Sequence, residues 1–158
     1  FRRVLFRSRA ASGGDVTPAA IASLGPEGLL ALGFTRQKAR YVHGLAQRLL
    51  SRELRLERIA RLDDALAGAT LRAVPGIGPW TAGVYLLMAL RRPDAWPAGD
   101  LGLVAAVRKI KGIDGPLDAV AMGAVAAPWR PWRAVAARVL WHYYLSTPHS
   151  ERRTWARP

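Results

Sequence analysis

Cysteine is absent from the 158 residues, which excludes a disulfide framework, a thiolate zinc site and an iron–sulfur cluster. That absence fits a reducing cytoplasm. Acidic residues are scarce: Asp and Glu number 11 against 24 Lys and Arg, for a net charge of +13 and a pI near 11.5. No stretch approaches the uninterrupted apolar length that spans a bilayer, and no signal-peptide pattern opens the chain, so no membrane partner is expected. Sustained polar/apolar alternation is missing and β-branched residues are sparse, which argues against a sheet. The three histidines, His43, His142 and His149, have no metal-ligand spacing.

What remains is 51% hydrophobic, enough for one domain with a core. The basic excess points to a polyanionic partner, of which nucleic acid is the commonest. Ala, Arg, Gly and Pro are all abundant, as in proteins from GC-rich genomes, so the charge sets a partner class and not an activity. Residues 1–8, Phe1-Arg2-Arg3-Val4-Leu5-Phe6-Arg7-Ser8, resemble the translation of a sequencing-library adapter. They are read as foreign to the protein, which makes the chain a fragment cut at its N-terminus.

Proline, glycine and capping residues punctuate the rest. Thr17-Pro18 reads as an N-cap followed by proline at the first helical position, and Gly25-Pro26 breaks that helix before Gly33 ends it. Thr35 caps a helix over 36–50 whose Ala39, Val42, Ala46 and Leu49 fall on one face. Further helices are expected over 56–61, from Asp63 or Asp64 to 73, over 79–90, from Asp100 to 109, over 116–126 and over 131–145. Residues 147–158 read as a frayed polar tail. The expected fold is all-α, with short helices joined by Gly/Pro turns, in a single domain over 9–146.

The most specific local signal is Leu71-Arg72-Ala73-Val74-Pro75-Gly76-Ile77-Gly78-Pro79-Trp80-Thr81-Ala82. Two glycines flank one apolar residue between two helices. A bare Gly-x-Gly is an ordinary interhelical turn, with Ile77 as its plug. The N–H groups of Gly76, Gly78 and the helix that follows, Thr81 included, can also point outwards together, and such a cluster of donors suits a phosphate. Downstream comes Trp96-Pro97-Ala98-Gly99-Asp100-Leu101-Gly102. Taken alone, Asp100 is a helix N-cap. A cap also orients the carboxylate, which leaves it free to take a further role.

Pro-Gly-Ile-Gly followed by Trp-Thr-Ala resembles the helix-hairpin-helix element of DNA glycosylases. With the proline loop that delivers Asp100, the chain resembles the helix-hairpin-helix/Gly-Pro-Asp superfamily, and its 3-methyladenine DNA glycosylase II branch in particular. The likeness runs from about Thr17 to Tyr144. It includes the stretch from Leu32-Gly33-Phe34 to Lys38-Ala39-Arg40-Tyr41, and Pro131-Trp132-Arg133 at the start of the last long helix. Several motifs in order are far more specific than any one of them.

The resemblance implies base-excision repair of alkylated purines such as 3-methyladenine, acting on double-stranded DNA as a cytoplasmic, nucleoid-associated monomer. Asp100 would stabilise the positive sugar and direct water. Trp80, Trp141, Val84 and Tyr85 would line the base pocket, with Val84 standing where a better-known member has Tyr. Carbonyls of Arg72, Val74 and Ile77 would hold a structural monovalent cation, with no cofactor for catalysis. Bifunctional members carry a Schiff-base Lys at the position of Trp80, so a monofunctional enzyme is expected. Trp129, Trp132, Tyr143 and Tyr144 are assigned to packing, and Arg108, Lys109 and Lys111 to a basic run. The family's helices before the segment matching Thr17, which usually supply a duplex wedge, would be missing, and weak activity is expected of the fragment. Competing readings are a non-catalytic DNA-binding hairpin module and a glycosylase for another lesion.

Overall fold

A computed structural model describes residue 9 and residues 14–155, apart from the side chains of 153 and 154. The adapter-like residues 1–8 lie outside the described set. Among the described residues there are helices and turns and no strand, as the punctuation predicts. The chain divides into two compact units. The first is Phe1–Leu62 with Thr70–Gly76; the second is Asp63–Ala69 with Ile77–Pro158.

The first unit is built on α1 (Pro18–Ala31) and α2 (Arg36–Leu50), which pack on one another. The Thr17 hydroxyl accepts the Ala20 N–H at 3.2 Å and Pro18 opens the helix. Gly25, at φ 61° and ψ 177°, kinks α1 before Pro26. Gly33, at φ 96°, then reverses the chain, with the Phe34 N–H donating to the Leu29 carbonyl at 3.2 Å. Thr35 caps α2 through the Lys38 N–H at 3.3 Å. Ile21, Leu29, Ala39 and Ala46 form the core, with Phe34 and Val42 packed against it. The short α3 (Leu56–Ile59) buries Ile59.

Helix α4 (Asp64–Arg72) begins in the second unit and ends in the first. Asp63 is its cap, accepting the Leu66 N–H at 2.9 Å. The second unit continues with α5 (Pro79–Met88), α6 (Leu101–Lys111), α7 (Ala119–Ala126) and α8 (Arg133–Ser146). Helix α6 packs on α8, and the buried residues are Leu103, Ala106 and Val107 on the first and Ala134, Ala137 and Leu140 on the second. Full burial of a leucine such as Leu103 is worth about 1.5–3 kcal/mol.

Three expectations change. Helix α7 starts at Ala119 and not at Pro116, because the Asp118 carboxylate captures the Ala121 N–H at 2.7 Å. Helix α8 starts at Arg133, two residues after Pro131. The tail expected to fray forms α9 (His149–Trp155), since Trp155 is 7% exposed and stacks on Tyr143 with centroids 5.5 Å apart. One buried aromatic outweighs a polar stretch.

Candidate active site

The hairpin string is where the chain passes from the first unit to the second. On the first side, Gly76 has φ +90°, and a Cβ there would lie 2.5 Å from ring atoms of Tyr41 on α2. Its glycine is demanded by the fold. Val74 is buried, and its N–H donates to the Leu71 carbonyl at 3.1 Å.

On the second side, Gly78 is the N-cap of α5 at φ −87°, an ordinary conformation for any residue. A Cβ on Gly78 would meet nothing within 4 Å. Nothing inside the protein needs a glycine there, whereas a ligand lying on the backbone would. Pro79 has no N–H to lose. Among the described residues, the N–H groups of Gly78, Trp80 and Thr81 donate to no protein acceptor, and Thr81 is exposed. These are the free donors of a helix N-terminus.

Asp100 stands at the N-cap of α6 as its position predicts. Its Oδ1 accepts the Leu103 N–H at 2.8 Å. Its Oδ2 accepts a second bond, from the Trp80 indole Nε1 at 2.7 Å. That contact joins the first turn of α5 to the first turn of α6, twenty residues apart, and both oxygens are held by neutral donors. Trp80 is nonetheless 47% exposed, so its ring remains open to solvent.

The loop that delivers Asp100 is fastened at two further points that the sequence did not single out. Gly83 on α5 is buried against the loop: a Cβ would lie 2.8 Å from the Pro97 Cα and 2.9 Å from the Trp96 carbonyl oxygen. Only a helix without a side chain at that point lets Trp96-Pro97 lie flat on it. A glycine in mid-helix costs about 1 kcal/mol relative to alanine, and that departure from good helix composition was the available signal. Midway along the loop, Arg133 grips Asp94 with both arms of its guanidinium, Nε to Oδ1 at 2.8 Å and Nη2 to Oδ2 at 2.7 Å. The pair is mostly buried, and the Arg133 hydrogen bond holds the Asp94 carboxyl below its usual range. Pro131-Trp132-Arg133 therefore matters through its arginine. Trp132, expected to pack, is 61% exposed.

The pocket residues expected on α5 and α8 are only partly brought together. Val84 lies one turn after Trp80 on the same face of α5, and Tyr85 is rotated away by one position. Both are half-buried. Trp141 on α8 is half-buried, and no ring contact or hydrogen bond ties it to Asp100 among the described residues. Tyr144 comes nearer. A Cβ on Gly102 would lie 3.1 Å from Asp100 Oδ1 and 3.2 Å from Tyr144 Cδ1, so both press on the same bare helix position. Tyr144 also carries the Arg152 guanidinium over its ring at 4.7 Å. Trp129 and Tyr143 do pack, on Trp96 and Trp155.

Comparison with known proteins bears on the whole arrangement. A model of the HhH-GPD superfamily of base excision DNA repair proteins matches residues 3–131. A DNA-3-methyladenine glycosylase of Bacillus subtilis is 31% identical over 77% of this chain and 40% of its own length. A probable bifunctional transcriptional activator/DNA repair enzyme of Mycobacterium tuberculosis is 40% identical over 70% of this chain and 21% of its own. The chain thus spans well under two thirds of these relatives. Among solved structures, the Schizosaccharomyces pombe 3-methyladenine DNA glycosylase in complex with abasic DNA superposes with a TM-score of 0.81. It is 26% identical, over 89% of this chain and 67% of that one.

Proposed function

The chain belongs to the HhH-GPD superfamily of base excision DNA repair proteins, and from that premise we propose that it hydrolyses the N-glycosidic bond of alkylated purines in duplex DNA. The observation that carries the proposal is the Asp100 carboxylate, oriented by the Trp80 indole and the Leu103 N–H and neutralised by neither. A fixed anion beside an oxocarbenium-like sugar stabilises the transition state more than the ground state. A cationic alkylpurine needs no strong acid to leave: the electron pair of the broken bond cancels its charge, and water adds at the anomeric carbon. Reaching that bond requires the nucleotide to be extruded from the duplex. Trp80, with its exposed ring, and Val84, Tyr85 and Trp141 are the residues we assign to the base, through cation–π and apolar contact.

Phosphate would be held by the N–H groups of Gly76, Gly78 and Thr81. A monovalent cation would sit on carbonyls of Arg72, Val74 and Ile77. No backbone donor reaches the Val74 or Ile77 carbonyl among the described residues, and neutral oxygens suit a hard, weakly charged ion. Such an ion would add positive charge where DNA phosphates approach. The Schiff-base position is Trp80, whose side chain carries no primary amine, so the enzyme is proposed to be monofunctional. A covalent adduct trapped by borohydride would overturn that.

The test is incubation with duplex DNA carrying methylated adenine, followed by alkaline cleavage at abasic sites, for the protein and its Asp100→Asn variant. Strand breaks lost in the variant with DNA binding kept are the expected result. Binding without breaks in either protein would leave a non-catalytic hairpin module.

A further inference from the structure

A strongly basic hollow lies in the first unit, and none of the residues assigned above lines it. Arg52, Arg55, Arg58 and Arg61, spaced three apart around α3, line a concavity of about 690 Å³ together with Glu57. All four arginines are exposed. None has an ion-pair partner among the described residues; the Arg55 Nε donates to the Arg52 carbonyl at 3.3 Å. The neighbouring acid, Glu53, is taken by Arg48. Four arginines thus line one cavity against a single carboxylate.

Two physical points separate this from an ordinary solvated face. Like charges gathered in a concavity repel one another, and the concavity focuses their field, so the arrangement is relieved only by an anion entering it. Arg52 also holds φ 60°, in the left-handed region where glycine would be unstrained. An arginine placed there at a backbone cost marks the side chain as the useful part. Planar guanidinium forks match phosphate oxygens in pairs, which ammonium groups do not.

We infer that this hollow is a second phosphate-binding surface for duplex DNA, carried by the first unit and independent of the hairpin donors. The inference rests on the reading of the protein as a DNA-acting enzyme. It concerns affinity and placement on the backbone and not reading of sequence, since phosphates carry none.

The test is equilibrium binding of the full chain to an undamaged labelled duplex between roughly 50 and 200 mM salt. Wild type is compared with a variant carrying Arg52→Ala, Arg55→Ala, Arg58→Ala and Arg61→Ala, and with the corresponding four-lysine variant. Each phosphate contact contributes about 0.9 to the slope of log affinity against log salt. The alanine variant should lose roughly 1.8 units of slope or more, and the lysine variant, whose charge is kept, should restore most of it. Circular dichroism of the alanine variant guards against a folding defect. Salt-dependent binding by wild type with an unchanged slope in the alanine variant would overturn the hollow alone. Failure of wild type to bind duplex would overturn the DNA reading along with it.

Discussion

The loop between α5 and α6 carries two aspartates, Asp94 near its middle and Asp100 at its end, and the two are held in opposite ways. Asp94 meets a guanidinium on two hydrogen bonds, so its charge is cancelled where it stands and its field reaches nothing else. Asp100 is held as firmly, by two bonds of similar length, but both donors are neutral. Its geometry is fixed while its charge stays uncompensated. A carboxylate of the first kind is a fastening, and one of the second kind can act on a ligand. The same loop needs both, because the anchor at Asp94 and the flat contact at Gly83 are what make the position of Asp100 reproducible.

The sharpest way to break that comparison is to exchange the charges for amides. Asp100→Asn keeps a good N-cap, so the unfolding midpoint should barely move. Its excision rate should fall about 10²- to 10³-fold, the scale of a lost preorganised electrostatic group. A variant that excises normally would remove Asp100 from the chemistry.

Asp94→Ala should show the converse. Stability should drop by about 1–3 kcal/mol in denaturant titration, as for a charged hydrogen bond lost with its partner left behind, and activity should fall only as far as the loop loosens. Gly83→Ala attacks the same loop from α5 without touching either carboxylate. Its Cβ would strike backbone, at an overpacking cost of about 1–3 kcal/mol, and a variant of unaltered stability and activity would show that the loop has another seat.

A smaller effect is expected from Trp80→Phe, which keeps a ring face and deletes the N–H donor. The rate of excision at saturating DNA should fall about tenfold, roughly 1.4 kcal/mol, with little change in KM. A change confined to KM would make Trp80 a stacking residue only.

The smallest effect is in pH. Because Arg133 holds the Asp94 carboxyl below its usual range, the pair contributes fully above the unfolded carboxylate value of about 3.9. That contribution is lost as pH falls through the lower folded value. Stability curves of wild type and Asp94→Asn should therefore stay apart down to the ordinary carboxylate range. Convergence already near neutrality would show that the pair is not a stabilising one.

Most of the secondary structure was legible because its signals are local. Thr17-Pro18, Thr35 and Asp100 mark helix starts through bonds made within three residues, and Gly33 marks a stop through its own φ. Expectations failed where a contact distant in sequence decided the outcome. Residues 149–155 read as polar tail until Trp155 finds Tyr143, and Trp132 reads as packed although it is exposed just before α8. The division into two compact units has no local signal, since hydrophobic periodicity reports a buried face and not which core it joins.

The sequence by itself determined the all-α class, the hairpin string, the basic balance and Asp100 as a cap, because caps, turns and charge are properties of neighbouring residues. Only the tertiary structure decided what Asp100 is next to. The Trp80 N–H at its second oxygen, the bare face of Gly83 under Pro97 and the guanidinium that takes Asp94 out of play are pairings between separate helices and loops. They exist only once packing brings those elements within hydrogen-bond and van der Waals distance.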